Sequence, residues 1–319
     1  MMAKLSQLDE TRLLVKVSKM YYEDGLAQDD IILRLNLSRS KISRLLQQAR
    51  DEGIVQITVN APRHMFSELE SRLEKQFGLV ESIVVEAHSD GSPENVIHEI
   101  GMAAAAYVER SVGPTTRIGI SWGSTLHSMV ATLHSKRLPK TKVVQIIGGL
   151  GSPESEVHAT DLCHRLARSL GSQLTLLPVP GIVVTQEARN VLMSDLYVKQ
   201  AIDMFNQLDI VFLGIGAPVA DSVLIRDGSI LSQKELKLLL QKRVVGDIAL
   251  RFFDAQGQPV HSEIDERVIG ITLDQLKRIH RVVGVAGGPD KFYAIQGALR
   301  GKLINVLITD SMNAEKLLQ

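Results

Sequence analysis

From about residue 80 onward, short apolar runs rich in β-branched residues alternate with longer stretches of helical periodicity. Runs this apolar suit strands that are covered on both faces, and strand–helix alternation is typical of a parallel sheet flanked by helices. The sequence therefore predicts an α/β fold with a doubly wound, mostly parallel sheet. The predicted strands are 82–85, 117–121, 142–147, 174–179, 209–215, 282–286 and 305–309, and the predicted helices are 94–112, 125–133, 156–170, 195–207, 233–241 and 290–299.

Small and polar residues follow several of these strands. Doubly wound sheets bind ligands beyond the carboxyl ends of their strands, where glycines allow close approach and helix N-termini bind anions. Gly123, Ser124 and Thr125 open a helix after one strand and are the residues best suited to hold a phosphate. Lys291, in a second such loop, is predicted to supply the countercharge. Asp247 is predicted to accept hydrogen bonds from sugar hydroxyls.

A cationic amphipathic stretch at residues 38–50 is the second informative feature. Ser38 suits a helix N-cap, and Ile42, Leu45 and Leu46 recur at helical spacing to give one apolar face. The other face offers cations for phosphates and donors and acceptors for base edges. The residues on that face are Arg39, Ser40, Lys41, Ser43 and Arg44. With the amphipathic run 28–35 and a turn at Asn36 before it, this stretch predicts the recognition helix of a DNA-binding helix-turn-helix.

The overall charge gives no support for nucleic-acid binding, because Lys plus Arg and Asp plus Glu each number 36 among 319 residues. The positive charge is local, since residues 38–50 contain four basic residues and no acidic one. Aromatic residues make up only 4%, which disfavours stacking on single-stranded nucleic acid. A single cysteine, Cys163, and the lack of a membrane-spanning run predict a cytoplasmic protein with no membrane partner.

The domain organisation follows from a change of pattern near residue 60. A first helix is predicted at 8–23, before the helix-turn-helix. Residues 54–59 alternate and are β-branched, so a strand is predicted directly after the recognition helix, as in a winged helix. An amphipathic helix is predicted at 65–77. We therefore predict a winged helix-turn-helix domain over 1–60, a linker helix over 61–79, and an effector-binding and oligomerisation domain over 80–319.

Common catalytic and cofactor signatures are missing from the sequence. It contains neither a full G-x-G-x-x-G motif nor a Walker loop. Cys163 and His164 have no further ligands at metal-binding spacing. The sequence therefore predicts no cofactor, no metal and no catalytic residue, although a Ser/His/Asp relay stays open.

Two sets of residues resemble the SorC family of bacterial sugar-operon regulators. The first set lies in the N-terminal region and comprises Tyr21, Tyr22, Gly25, Leu26, Gln28, Ile31, Leu35, 37–39, 42–46, Ala49 and 53–55. The second set comprises 119–125, Gly148, Gly149, 213–216, 245–248, 251–254, 285–288, Lys291, Ala298, Leu299, Gly301 and 305–310. The match runs nearly from end to end of the chain. Asn36 stands where the family usually has a turn glycine, and Ile32 where it usually has an alanine.

The resemblance implies more than the patterns alone. Members are usually tetramers, and their C-terminal domain is similar to sugar-phosphate isomerases and deaminases. That domain binds a phosphorylated sugar or polyol, which alters operator binding. Carried over by position, Gly123, Ser124, Thr125 and Lys291 would hold the phosphate, Asp247 would meet a sugar hydroxyl, and Gly148 and Gly149 would line the pocket. Some members form an imine through a lysine just before the Gly-Gly pair. The residue there is Ile147, which argues against a covalent effector.

We therefore expect a transcriptional regulator of a carbohydrate-utilisation operon that binds double-stranded operator DNA, a phosphorylated sugar or polyol, and further copies of itself. The residues expected to contact DNA are Gln28, Ser38, Arg39, Ser40, Lys41, Ser43 and Arg44. Two alternatives stay open. One is a sugar-phosphate isomerase- or deaminase-like enzyme that carries a DNA-binding head. The other is an architectural DNA-binding protein with a purely structural C-terminal domain.

Overall fold

The chain divides into two compact units, Met1–Ala61 and Pro62–Gln319. The computed structural model describes residues 2–57, 65–87, 92–149, 159–219 and 230–319, with side chains from residue 9 onward. Each unit has a hydrophobic core of its own.

Helices form the described part of the first unit. α1 (Met2–Ser18) continues into one π-helical turn (Lys19–Glu23), and α2 (Gln28–Leu35) and α3 (Arg39–Asp51) follow. These elements confirm the helices predicted at 8–23, 28–35 and 38–50. Their apolar faces meet in a buried core formed by Leu14, Val17, Ile31, Ile42, Leu45, Leu46 and Ala49. The face that α3 buries is thus the one predicted from its periodicity.

Two polar residues shape the turn between α2 and α3. Asn36 adopts a left-handed backbone with φ 51° and ψ 44°, which asparagine tolerates better than most residues. The Ser38 hydroxyl then accepts a hydrogen bond from the Lys41 backbone N–H at 3.3 Å and caps α3. Together they turn the chain sharply and start the second helix of the helix-turn-helix.

The strand predicted at residues 54–59 does not form in the part that the structure describes. Residues 54–57 are a bend followed by irregular backbone, and Thr58 and Val59 lie outside the described residues. The side chains of Ile54 and Ile57 are exposed. Alternating β-branched residues favour a strand where a neighbouring strand accepts their backbone hydrogen bonds. The described residues of the first unit contain no strand that could pair with them.

The second unit contains a sheet of seven parallel strands. The strands are β1 (Glu81–Val85), β2 (Arg117–Ile120), β3 (Lys142–Gln145), β4 (Gln173–Thr175), β5 (Ile210–Gly214), β8 (Arg281–Val285) and β9 (Val306–Asp310). Their order in the sheet is β1-β9-β8-β5-β2-β3-β4. Each of them overlaps a strand predicted from the sequence. The predicted doubly wound, mostly parallel α/β fold is therefore confirmed.

Helices cover both faces of this sheet. They are α4 (Ser67–Phe77), α5 (Pro93–Ser111), α6 (Ser124–Thr132), α7 (Ala159–Leu170), α8 (Gln186–Ser194), α9 (Leu196–Asp203), α10 (Gln233–Gln241), α11 (Leu273–Leu276), α12 (Phe292–Arg300) and α13 (Ser311–Leu317). α5, α6 and most of α7 contribute to one buried core, and α4, α9, α10, α12 and α13 contribute to the other. All six helices predicted after residue 80 are present within the described ranges. α8, α11 and α13 were not predicted.

α4, which was predicted as a linker, packs against the sheet of the second unit. Leu73 is fully buried in the core of that unit. Two carboxylates of α4 bind backbone amides of β1, an outer strand of the sheet. Glu74 Oε1 accepts from the Ser82 N–H, and Glu70 Oε1 accepts from the Val84 N–H, each at 2.9 Å. The helix is therefore a structural part of the second unit.

A small antiparallel hairpin lies outside the main sheet and was not predicted. It consists of β6 (Gly246–Ile248) and β7 (Arg251–Phe253). The two residues of its turn, Ala249 and Leu250, have φ values of 52° and 60° and are buried. Residues other than glycine rarely adopt this left-handed conformation. The hairpin carries Asp247, the carboxylate singled out in the sequence, on its first strand.

Candidate functional site

A cleft of about 290 Å³ opens at the carboxyl ends of β2, β5 and β8, which lie side by side in the sheet. After β2 the chain continues to β3 and β4 on one side, and after β5 it continues to β8 and β9 on the other. The cleft therefore lies at the topological switch point, where doubly wound sheets bind their ligands. Its walls include the loops 122–125, 214–217 and 286–291, each of which lies at the carboxyl end of β2, β5 or β8.

The first residues of α6 form one side of the cleft. Gly123 has φ 129°, a conformation that L side chains rarely adopt. The bond from the His127 N–H to the Gly123 carbonyl is the first of the helix, so the preceding N–H groups have no intrahelical acceptor. Among the described residues, neither the Ser124 nor the Thr125 hydroxyl has a hydrogen-bond partner. Hydroxyls and free amides at a helix N-terminus are suited to bind an anion.

Asp247 forms the opposite side and is only 5% exposed. Its Oδ2 accepts a hydrogen bond from the Leu250 N–H at 3.2 Å, across the turn of the hairpin. Its Oδ1 lies 1.9 Å from the position that a Cβ at Gly216 would occupy, so only glycine leaves room for the carboxylate. Burial raises the pKa of Asp247 from 3.8 to about 6, although the Lys291 charge and the Leu250 N–H lower it.

Lys291 completes the polar lining at the end of a 3₁₀ turn, Pro289–Lys291. Gly288, which begins this turn, has φ 97° and therefore also favours glycine. Burial lowers the pKa of Lys291, and the nearby carboxylates of Asp247 and Asp290 oppose that effect. A partly buried ammonium close to a helix N-terminus would attract an anionic group, while the Asp247 carboxyl is suited to bind hydroxyls.

The rest of the cleft wall is largely apolar. Trp122 is only 9% exposed, and it lines the cleft. Ile97 of α5 and Ala249 of the hairpin contribute further apolar surface. Neither residue could be selected from the sequence, because each is one apolar side chain in an ordinary pattern.

The structure brings together five of the seven residues predicted to bind an effector, and two lie elsewhere. Gly148 and Gly149 do not line the described cleft. The Gly149 N–H donates to the Val179 carbonyl at 2.9 Å, and a Cβ at Gly148 would lie 2.5 Å from that same carbonyl oxygen. These glycines therefore allow two backbone segments to pack closely. Ile147, where a covalent effector would need a lysine, is fully buried.

The residues predicted to read DNA lie along α3 and at the start of α2. Ser38, Arg39, Ser40, Ser43 and Arg44 are exposed, and Lys41 and Gln28 are partly so. Arg39 pairs with Asp29 at 2.8 Å, and Lys41 pairs with Glu10 at 3.5 Å. Exposed ion pairs contribute about 0–1 kcal/mol, so DNA phosphates could replace them. Arg44 Nε donates to the Ser40 carbonyl at 3.3 Å, within its own helix.

Known proteins resemble this chain over nearly its whole length. A family model described as a sugar-binding domain matches residues 63–319. The deoxyribonucleoside regulator of Bacillus subtilis is 32% identical over 309 residues, which cover 97% of this chain and 98% of that protein. The sorbitol operon regulator of Klebsiella pneumoniae is 34% identical over 318 residues, which cover 98% of this chain and 99% of that protein.

The structural comparison agrees with the sequence comparison. The crystal structure of the full-length sorbitol operon regulator SorC from Klebsiella pneumoniae matches with a TM-score of 0.75 at 32% identity. The match covers 97% of this chain and 99% of that one. Within the described residues, no helix is both long and apolar enough to cross a membrane.

Proposed function

This chain belongs to the SorC family of sugar-binding transcriptional regulators, and from that premise we propose that a phosphorylated sugar or polyol controls its binding to the operator of a carbohydrate-utilisation operon. The observation that carries the proposal is the pairing, in one cleft, of the free N-terminus of α6 with the ammonium of Lys291. The buried carboxyl of Asp247 adds a group for hydroxyls. One cleft thus offers both kinds of partner that a phosphorylated sugar needs.

The phosphate would lie against Gly123, Ser124 and Thr125. Three features support this position: the free backbone amides, the two hydroxyls without a described partner, and the positive end of the helix dipole. Lys291 would balance the remaining charge from the facing loop. Since Ile147 cannot form an imine and is fully buried, the effector would bind without a covalent bond.

The remainder of the effector would extend toward Asp247. A carboxylate accepts hydrogen bonds from hydroxyls, and a protonated carboxyl can also donate one. Because the pKa of Asp247 is raised to about 6, either form is accessible near neutral pH. The apolar wall formed by Trp122, Ile97 and Ala249 would contact carbon atoms of the ligand.

Operator reading is assigned to α3, with Arg39, Lys41 and Arg44 as the principal contacts. Helix-turn-helix proteins usually bind as dimers to two half-sites, because two recognition helices multiply specificity. We therefore propose self-association as a homo-oligomer, with a tetramer as the expected state. Effector binding would change the population of DNA-competent assemblies by binding two states of the protein unequally.

An isomerase- or deaminase-like activity is the second candidate, and one observation favours it. A buried carboxyl whose pKa is raised to about 6, in a cleft suited to a phosphorylated sugar, has the properties of a general acid or base. The relatives reported above are all named as regulators. Incubation with phosphorylated sugars, followed by product analysis, separates the two functions, since a regulator leaves the compound unchanged.

The first test is a thermal-shift screen of the full chain with sugars, polyols and their phosphates. Binding to the native state alone stabilises it by about 2.7 kcal/mol at a hundredfold excess over Kd. We expect a shift with one phosphorylated compound, none with its unphosphorylated parent, and loss of the shift in Lys291→Ala. Lys140→Ala, an exposed lysine that precedes β3 at the amino ends of the strands, serves as the matched control. A shift with the free sugar alone would contradict the phosphate assignment.

A further inference from the structure

A buried carboxylate and a buried amide lie directly behind the loop that carries Lys291. Asp310 is the last residue of β9 and Asn313 lies in α13, and they are 1% and 2% exposed. Neither residue lines the cleft. A pair of polar side chains this deeply buried needs a defined set of hydrogen-bond partners.

Those partners include both backbone groups of Gly288, its N–H and its carbonyl. Asp310 Oδ2 accepts from the Gly288 N–H at 2.7 Å and from Asn313 Nδ2 at 2.7 Å. Asn313 Nδ2 also donates to the Gly288 carbonyl at 2.9 Å. The same carbonyl accepts from the Lys291 backbone N–H at 3.2 Å. Three consecutive contacts therefore connect Asp310 and Asn313 to the backbone of Lys291.

The contact with Asp310 also changes what the loop can offer to a ligand. A glycine N–H at a helical turn is normally a good anion donor. Here the Gly288 N–H is already bound to a carboxylate. A Cβ at the neighbouring Gly287 would lie 2.4 Å from Asp310 Oδ2, so the loop is held close to that carboxylate. The Gly288 N–H is thereby unavailable to a ligand, and Lys291 remains as the cation of this loop.

We propose that Asp310 and Asn313 are positioning residues of the effector cleft. They hold the backbone of Gly288 so that Lys291 faces the anion bound at α6, and they keep the Gly288 N–H from binding that anion. The proposal rests on the function proposed above. It assigns the anionic end of the ligand to the α6 side of the cleft. It also makes the orientation of Lys291 depend on two residues that do not touch the ligand.

Asp310→Asn is the informative substitution, because the two carboxylate oxygens are both in use. Oδ1 accepts from the Asn313 backbone N–H at 2.9 Å, and Oδ2 accepts from Gly288 and from Asn313 Nδ2. An asparagine has one acceptor oxygen and an NH₂ group in place of the other. It must therefore lose either the cap of α13 or the contacts that hold Gly288.

The substitution separates positioning from simple charge effects by the sign of the change. Removing a negative charge behind an anion site would by itself strengthen anion binding. Loss of the position of Lys291 would weaken it. Asn313→Ala provides a second variant, since it removes the hydrogen bond to the Gly288 carbonyl and leaves the Asp310 charge and its bond to the Gly288 N–H in place.

Inorganic phosphate is the probe, and its affinity is measured by calorimetric titration of the full chain. We expect both Asp310→Asn and Asn313→Ala to weaken phosphate binding about tenfold, the effect of losing one charge-assisted contact. Asp195→Asn is the matched control, because Asp195 caps α9 through the Tyr197 and Val198 N–H groups and has no contact with this loop. Phosphate binding by Asp310→Asn that equals or exceeds the wild-type affinity would overturn the proposal.

A measurement without ligand separates this proposal from the proposed function. The Asp247 carboxyl is followed by carbon NMR across a pH series, with Asp247→Asn used to assign the signal. Lys291 lowers the pKa of Asp247 in the wild type. We therefore expect the pKa to rise in both variants, whereas charge removal alone would lower it in Asp310→Asn. An unchanged or lowered pKa of Asp247 in both variants overturns the positioning role. Failure of the wild type to bind phosphate overturns only the proposal that the effector is phosphorylated.

Discussion

Replacement of Asp247 by asparagine should stabilise the second unit while it removes effector binding. The burial that raises the pKa of Asp247 from 3.8 to about 6 means that the ionised carboxylate is less favourable in the folded protein than in the unfolded chain. Each pK unit corresponds to 1.36 kcal/mol, so the shift amounts to about 3 kcal/mol at neutral pH. The attraction to Lys291 is already included in that pKa. Asparagine resembles the protonated carboxyl and avoids this cost.

The sign of the pH dependence follows from the direction of the shift. The folded protein holds the Asp247 proton more tightly than the unfolded chain, so the stabilising effect of protonation is complete below about pH 4. This stabilising effect is lost as the pH rises toward about 6, the pKa of Asp247 in the folded protein. Above that pH the stability no longer depends on this group. The free energy of unfolding of the variant should therefore equal that of the wild type near pH 4. It should be larger by about half of the full difference at pH 5, and by about 3 kcal/mol at pH 7.

Urea unfolding followed by tryptophan fluorescence measures this difference. Trp122 is the only tryptophan of the chain, is 9% exposed and lies in the second unit beside the cleft, so its emission reports on that unit. Asp203→Asn, at an exposed position of α9, is the control and should show no such pH-dependent gain. A gain in the free energy of unfolding of Asp247→Asn that is the same at pH 5 and pH 8, or a loss at pH 7, would refute the proposed cost of the ionised carboxylate.

Three further substitutions test other parts of the molecule. Arg44→Ala should weaken operator binding by about 1–3 kcal/mol if the guanidinium reads a base, and gel-shift titrations across a salt series would reveal unchanged binding if it does not. Gly216→Ala would place a Cβ 1.9 Å from Oδ1 of Asp247 and should abolish the ligand-induced thermal shift. Gly113→Ala is the control and should leave that shift unchanged, because its Cβ would meet only a hydroxyl at 3.7 Å. Arg251→Met should destabilise the second unit by about 3 kcal/mol in urea unfolding, because the buried guanidinium binds a carboxylate and several carbonyls; a loss below 1 kcal/mol would contradict this role.

The sequence predicted the sheet well because its strands are continuous apolar runs. β5 is one example, with four consecutive buried residues. The hairpin β6–β7 was missed because each of its strands has three residues, and a glycine and an aspartate interrupt the first. α8 was missed for a different reason. None of its residues is fully buried, and its apolar residues are only Ala188 and 191–193, which is too short a pattern for periodicity to identify a helix.

The site was only partly predictable, since similar residues serve different purposes. Gly123 and Gly148 both follow strands, and the sequence does not distinguish a glycine that faces a ligand from one that faces another backbone. Gly123 has a positive φ and nothing near its absent Cβ, whereas the space beside Gly148 is filled by residues 179–181. The contacts of Asp310 with Gly288 were also invisible, because they join residues far apart in the chain.

The carboxylates of Glu70 and Glu74 bear on how copies of this chain can associate. An outer strand with free amides can recruit a strand from another molecule. In β1 the outward N–H groups of Ser82 and Val84 are already bound by α4, so the sheet is closed to extension at that edge. Self-association at this edge of the sheet must then use side-chain surfaces. Burial raises the pKa of Glu70, so acidification weakens this protection at Val84 and would open a route to aggregation that the folded protein blocks at neutral pH.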